Sequence, residues 1–178
     1  PEHDAIYAQY NVVNRGEPTV AEFAQALERQ LEETNAEKLI VDVRWNGGGD
    51  NNENSPLMHA ILKNERINRP GRLFVLTGPM TYSACINFCG WMERETNAIF
   101  IGRPTGAPPN MAGDGTGFEV GREGWSLFVS QWPWQESMPW DRRQWIQPHI
   151  SAPLTWADAS EGIDRAVEAA LNFDDPDL

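Results

Sequence analysis

Two segments of this chain share one design, a short apolar run followed by residues that favour a sharp turn. Residues 39–49 read LIVDVRWNGGG, and residues 73–84 read LFVLTGPMTYSA. Each run is long enough for a buried strand, and the turns carry a triple glycine in one segment and a serine at a helix start in the other. A glycine turn with bare N–H groups beside such a serine is how an acyl-transfer site is assembled. The pair therefore predicts a buried sheet and a candidate nucleophile, Ser83.

Strands and helices alternate along the chain up to about residue 105. The apolar patterns predict strands at residues 5–13, 39–43, 73–76 and 98–101, and helices at 20–31, 56–62 and 83–95. The first helix is preceded by a capping box, Thr19 to Glu22. Alternating elements of this length imply right-handed crossovers, so we expect an α/β fold with a mostly parallel sheet flanked by helices.

The pattern changes after Thr105. Residues 106–124 are rich in Gly, Pro, Asn and Asp and are predicted to be loop, whereas residues 125–134 alternate enough for an antiparallel strand or hairpin. Five of the eight tryptophans fall between Trp125 and Trp145. Packing within a flap is the favoured interpretation of this cluster, and a binding wall for apolar side chains is the alternative. An amphipathic helix is predicted to close the chain.

Composition limits the classes of partner. The 178 residues include 26 acidic and 14 basic side chains, giving a net charge of −12. Such a surface repels phosphate backbones and anionic membranes, so nucleic acid is not an expected partner. Apolar runs of four or five residues are too short for a membrane span. Cys85 and Cys89 lie four apart on a predicted helix, where packing is their expected role.

Several segments, taken in order, resemble a known family. Residues 42–49 (DVRWNGGG) resemble the D-L-R-x-N-x-G-G segment of the C-terminal processing, or tail-specific, serine peptidases, whose relatives include the tricorn core protease and the interphotoreceptor retinoid-binding protein modules. Residues 74–84 resemble their nucleophile segment, a strand followed by T-x-S-A. Residues 101–106 are similar to their G-x-x-T-x-G turn, and residues 146–150 and 162–171 look like their V-x-P-D-I segment and closing helix.

The resemblance implies a crotonase-like fold, to which the pattern after Thr105 adds an antiparallel, Trp-rich flap. It implies a single peptidase-like domain at residues 5–173, the C-terminal part of a longer extracytoplasmic protein with an upstream PDZ or helical domain. The expected partner is a peptide or protein substrate, oligomerisation is allowed, and no cofactor or metal is expected.

The resemblance also implies residue roles. Ser83 is the nucleophile, and the backbone N–H groups of Ala84 and of either Gly48 or Gly49 form the oxyanion hole. Each such donor stabilises a transition state by about 3–4 kcal/mol.

The general base is where the sequence departs from the family pattern. The tail-specific lysine slot is Pro108, no lysine follows Lys63, and a glutamate common after S-A-x is replaced by Ile86. In the tricorn branch a histidine from an upstream domain serves as base, with help from a downstream glutamate.

The remaining candidates for base or helper are His59 and Asp141, the latter being the acidic residue nearest the glutamate slot. His149 replaces the aspartate of P-D-I and is expected to be structural, and His3 lies near the chain end. Three functions stay open: a serine peptidase, a non-catalytic relative that binds an apolar peptide or small ligand, and a crotonase-type acyl-thioester enzyme.

Overall fold

A computed structural model describes residues 4–174. The strands are β1 (Ala5–Gln9), β2 (Lys38–Asp42), β3 (Leu73–Thr77), β4 (Ile99–Gly102), β5 (Asn110–Val120), β6 (Trp125–Gln135) and β7 (Ile150–Ser151). Five of them form a parallel sheet in the order β1-β2-β3-β4-β7. Leu39 pairs with Leu73, and Phe74 pairs with Ile99. The predicted parallel arrangement of the three central strands is confirmed.

Helices cover both faces of this sheet. They are α1 (Val20–Glu33), α2 (Ser55–Lys63), α3 (Ala84–Glu95), α4 (Trp156–Glu161) and α5 (Arg165–Leu171). In β2, Leu39 and Val41 join the core formed with α1, α2 and α3, whereas Ile40 packs with Ala166 and Ala170 of α5. Burial on both faces explains why β2 and β3 read as continuous apolar runs. None of the helices described is both long and apolar enough to cross a bilayer.

The capping box predicted at the start of α1 is confirmed. The backbone N–H of Thr19 donates to Glu22 Oε2 at 2.8 Å, and the N–H of Glu22 donates to Thr19 Oγ1 at 3.2 Å. The predicted closing helix is α5, which Asp164 caps; a separate short helix, α4, precedes it and ends at Gly162 in the left-handed region.

An antiparallel ribbon, residues 110–135, replaces the loop predicted at 106–124. Strands β5 and β6 pair along their whole length, and Gly113 and Gly117 lie opposite Trp132 and Phe128. The loop was predicted because this segment is rich in glycine. A Cβ at Gly113 would come within 2.9 Å of the Trp134 side chain, and a Cβ at Gly115 would meet the backbone of Val129, contacts that composition does not reveal.

The tryptophan cluster does not pack as predicted. Trp125, Trp132 and Trp140 are 66–74% exposed, and Trp145 is also exposed. Residues 114–133 are exposed on both faces of the ribbon because no other described element covers them. Only Trp134, near the base of the ribbon, is partly buried among the five.

Three charged residues of the family-like motifs link α5 to β2. Asp42 is 1% exposed and accepts hydrogen bonds from Tyr7 and from the Arg44 guanidinium, which in turn donates two bonds to Asp164 at 2.7 and 2.9 Å. Asp164 also accepts the first free N–H groups of α5. Burial lowers the pKa of Arg44, but the hydrogen bonds to Asp42 and Asp164 outweigh it and raise that pKa overall. The D-x-R and G-x-D motifs are therefore structural in this chain.

Candidate active site

Ser83 occupies a strained position at the end of the turn between β3 and α3. It is the N-cap of α3 with φ 54° and ψ −130°, in a region that non-glycine residues rarely adopt. Its side chain makes no capping hydrogen bond to the helix. A serine in a sharp strand-to-helix turn presents its hydroxyl outward, as in nucleophile elbows.

The glycine turn lies directly against this serine. Gly48 has φ +101°, and a Cβ there would come within 2.5 Å of Ser83 Cβ and 2.9 Å of the Ala84 nitrogen. Gly49, at φ +144°, leaves no room for a Cβ beside the carbonyl oxygen of Val13. The predicted juxtaposition of the two turns is confirmed, and it requires glycine at both positions.

Buried polar side chains fasten the two turns together. Thr81 donates from Oγ1 to the carbonyl of Val43 at 2.9 Å, and the N–H of Tyr82 donates to the carbonyl of Asn46 at 3.0 Å. Asn46 donates in turn to the carbonyl of Tyr10 at 2.9 Å. The hydroxyl of Thr81 therefore links the turn after β3 to the end of β2.

The backbone N–H groups at the site differ in availability. The N–H of Gly48 donates to Asn46 Oδ1 at 2.9 Å and is already used. Within residues 4–174, the N–H groups of Ala84 and Gly49 have no hydrogen-bond acceptor. Of the two glycines named from sequence, Gly49 is the one whose N–H is available to a ligand.

A cavity of about 510 Å³ opens beside Ser83. The ribbon contributes one wall and the two turns with α3 contribute the other; the lining residues are Gly49, Asp50, Asn51, Asn52, Ser83, Ala84, Asn87, Met111, Gly113, Asp114 and Trp134. The charged side chains in this set are Asp50 and Asp114.

Asn87 is a lining residue that could not be selected from the sequence alone. It lies one helical turn after Ser83 on α3 and is 2% exposed. Its Oδ1 is buried and has no hydrogen-bond partner among the described residues. An unsatisfied buried acceptor costs about 1–3 kcal/mol, so it calls for an explanation.

Within residues 4–174, no histidine lines the cavity beside Ser83. His59 is exposed on α2 and does not line the cavity. His149 accepts the backbone N–H of Phe100 through Nδ1 at 2.9 Å, which places it in the sheet framework. His3 lies outside the described residues.

Asp141 lines a second cavity, of about 400 Å³, together with Pro108. Hydrogen bonds from Arg143 hold the pKa of its carboxyl well below the usual range; burial opposes this, and a bond from Ser137 adds to it. A carboxylate held in this way is a weak base. Its role as helper remains a prediction that the arrangement does not favour.

The two cysteines have the expected surroundings. Cys85 and Cys89 are free and buried in α3. Burial, with a contribution from Cys89, raises the pKa of the Cys85 thiol, which is the behaviour of a packed, unreactive cysteine. Within residues 4–174 no group of three His, Cys, Asp or Glu side chains is arranged to hold a metal ion.

Several solved structures share this fold, and some of them are described as peptidases. A proposed peptidase from Parabacteroides merdae superposes with a TM-score of 0.71 at 21% identity, covering 100% of this chain and 64% of that one. The tricorn protease gives 0.59 at 17% identity, covering 95% of this chain and 17% of that one. The photosystem II D1 C-terminal processing protease gives 0.56 at 15% identity, with coverages of 84% and 42%.

This chain thus has the fold of C-terminal processing and tricorn-type peptidases, mixed α/β with a mostly parallel sheet and an antiparallel hairpin. The resemblance predicted from its motifs is therefore confirmed at the level of the fold. The chain spans less than two thirds of the length of each of these proteins. No family model and no curated protein matches the sequence.

Replacing Asn87 by leucine is expected to raise the free energy of unfolding by about 1 kcal/mol. Leucine has the same branching as asparagine and removes the unsatisfied acceptor from the core. Urea unfolding of the two proteins measures the change, with Asn87→Asp as a destabilised comparison because it places a charge at the same buried site. A loss of stability in Asn87→Leu would mean that the carboxamide is satisfied in solution.

Proposed function

We propose that this chain is the catalytic domain of a serine peptidase related to the C-terminal processing and tricorn peptidases, with a crotonase-type sheet. The observation that carries the proposal is Ser83, strained and uncapped at the N-terminus of α3, against the Gly48 turn and beside a cavity. The resemblance further suggests a longer extracytoplasmic protein with an upstream domain, and these remain proposals.

In the proposed reaction, Ser83 Oγ attacks the carbonyl carbon of the scissile peptide bond and gives its proton to a base. The N–H groups of Ala84 and Gly49 donate hydrogen bonds to the oxygen that becomes negative, and the N-terminus of α3 adds its positive dipole. The C–N bond then breaks as the amine leaves with a proton, and water hydrolyses the acyl-serine.

The base is the part of this reaction that the described cavity does not supply. No lysine or histidine lines it. We propose that the base comes from outside the described residues, as the resemblance to the tricorn branch implies. General-base assistance contributes about 10²–10⁴-fold, so its absence leaves only weak hydrolysis.

The isolated chain is therefore expected to react slowly with a fluorophosphonate probe, at Ser83, and to hydrolyse peptides weakly. Added imidazole should accelerate both reactions because it can take the proton from Ser83. Mass spectrometry of the labelled peptide and turnover assays measure these effects, with Ser83→Ala as the blank.

Absence of labelling even with imidazole would contradict a nucleophilic role for Ser83. Brisk turnover without imidazole that disappears in Ser83→Ala would instead show that the chain holds its own base. His59→Ala and Asp141→Asn would then test the two candidates named from sequence.

A second candidate function is a non-catalytic relative that binds peptides in the same cavity. The absence of lysine and histidine from the described lining favours it. Peptide binding by a chain whose Ser83 never reacts would select this alternative. The acyl-thioester alternative is disfavoured because the charged lining residues are carboxylates, which repel the phosphates of coenzyme A.

A further inference from the structure

The cavity beside Ser83 is bordered by carboxylates of unequal availability. Asp50 accepts two hydrogen bonds from Asn52, at 2.9 and 3.1 Å, and lies 3.4 Å from Arg15, a pair in which both side chains are well exposed. The attraction between the two charges of such an exposed ion pair is weak. A cation entering the cavity therefore meets two negative charges and no lining residue of positive charge.

Asp114 is the freer of the two carboxylates. It forms no ion pair with residues 4–174, and its described side-chain partner is the indole N–H of Trp134, which donates to Oδ2 at 3.0 Å. That bond leaves Oδ1 available and fixes the ring beside the carboxylate. Trp134 and Met111 line the same wall, so a long aliphatic stem can lie on apolar surface while its charged end reaches Asp114.

Asn87 adds an independent sign of a ligand in this cavity. It is nine-tenths buried or more, it lines the cavity with Ser83, and its Oδ1 is unpartnered among the described residues. The terminal torsion of asparagine is broad, so the carboxamide can turn either its oxygen or its nitrogen toward a bound molecule. The group that matches a carboxamide with one donor and one acceptor is a peptide bond.

We propose that this cavity binds an extended peptide with a lysine or arginine side chain, placing the cation at Asp114 and a backbone peptide group at Asn87. The inference rests on the proposed peptidase function for its biological meaning. The binding itself does not depend on catalysis, because neither of these two contacts involves proton transfer from Ser83.

The test measures peptide binding to the full chain carrying Ser83→Ala, which cannot cleave. Three labelled peptides of one sequence differ at a single position, with lysine, norleucine or glutamate, and fluorescence anisotropy gives each Kd. We expect the lysine peptide to bind about tenfold more tightly than the norleucine peptide, and the glutamate peptide to bind most weakly. The preference should shrink as salt is raised.

Adding Asp114→Asn should reduce the lysine preference to about twofold or less. Glu119→Gln is the matched control, because it makes the same change of charge in the same strand at a residue outside the cavity lining, and the preference should survive it. Adding Asn87→Leu should weaken all three peptides by a similar factor and leave the preference unchanged, since it removes only the backbone contact.

Equal binding of the lysine and norleucine peptides, or a preference that survives Asp114→Asn, would overturn the proposal, as would no binding of any peptide. These outcomes are separate from failure of the peptidase function. That function fails when the wild-type Ser83 does not react with a fluorophosphonate, whatever the binding selectivity.

Discussion

Replacing Gly48 by alanine should abolish fluorophosphonate labelling of Ser83 and lower the free energy of unfolding by about 2–5 kcal/mol. The new Cβ would come within 2.5 Å of Ser83 Cβ and 2.9 Å of the carbonyl oxygen of Tyr82. At φ +101° the backbone is also one that alanine rarely adopts. Either the glycine turn or the serine turn must move, and displacement by about 1 Å costs on the order of 10²-fold in rate.

Gly47→Ala is the matched control, one residue away in the same turn. A Cβ at Gly47 would meet nothing within 4 Å, so this variant should keep its stability to within about 0.5 kcal/mol and label like the wild type. Urea unfolding and the time course of labelling compare the two variants. Equal stability and labelling in both would show that the glycine turn does not pack against Ser83 in solution.

The parts of the fold that could be predicted from the sequence are the strands that are buried on both faces. The runs at β2, β3 and β4 hold three or four consecutive apolar residues because helices cover both faces, and that pattern appears in the letters alone. The edge strand β7 was missed because Ile150–Ser151 is too short to show any period. Strand β5 was missed because the residues that exclude a Cβ at Gly113 and Gly115, Trp134 and Val129, lie on the partner strand, more than ten positions away.

Some features of the candidate site could likewise be predicted from the sequence, and others could not. Ser83 and Gly48 could be predicted because a strained turn and a close backbone contact restrict the residue type. The engagement of the Gly48 N–H by Asn46 depends on side-chain placement within a turn, which composition does not specify. Asn87 had no local signal, since an asparagine in a helix is usually solvated, and only its burial makes it unusual.

The site contains two locally unfavourable features that the rest of the fold must stabilise. The strain at Ser83 and the unsatisfied acceptor of Asn87 both cost folding free energy, and both lie at the cavity. Local costs of this kind persist where the surrounding structure holds them in place. Here that surrounding structure includes the Thr81 and Asn46 hydrogen bonds between the turns, and the buried Asp42 at the end of β2.

Arg44→Met is expected to lower the free energy of unfolding by about 3–5 kcal/mol, because it leaves the buried Asp42 carboxylate without its cation. The Asp42 side chain is 1% exposed and, among residues 4–174, would retain only the Tyr7 hydroxyl and a backbone N–H as partners. The same substitution removes both bonds from the guanidinium to Asp164, so α5 loses its link to β2. For a domain of ordinary stability this is a large fraction of the total.

A double-mutant cycle in urea separates the buried charge from the lost packing. Asp42→Asn combined with Arg44→Met should cost clearly less than the sum of the two single variants, because the double variant buries no unpaired charge. Lys63→Met is the control: its partner Glu28 is 3.3 Å away and its own side chain is 73% exposed, so a loss of about 0.5 kcal/mol or less is expected. Additive losses in the cycle, or an Arg44→Met cost no larger than that of Lys63→Met, would show that Asp42 is solvated. The link between β2 and α5 would then not depend on this ion pair.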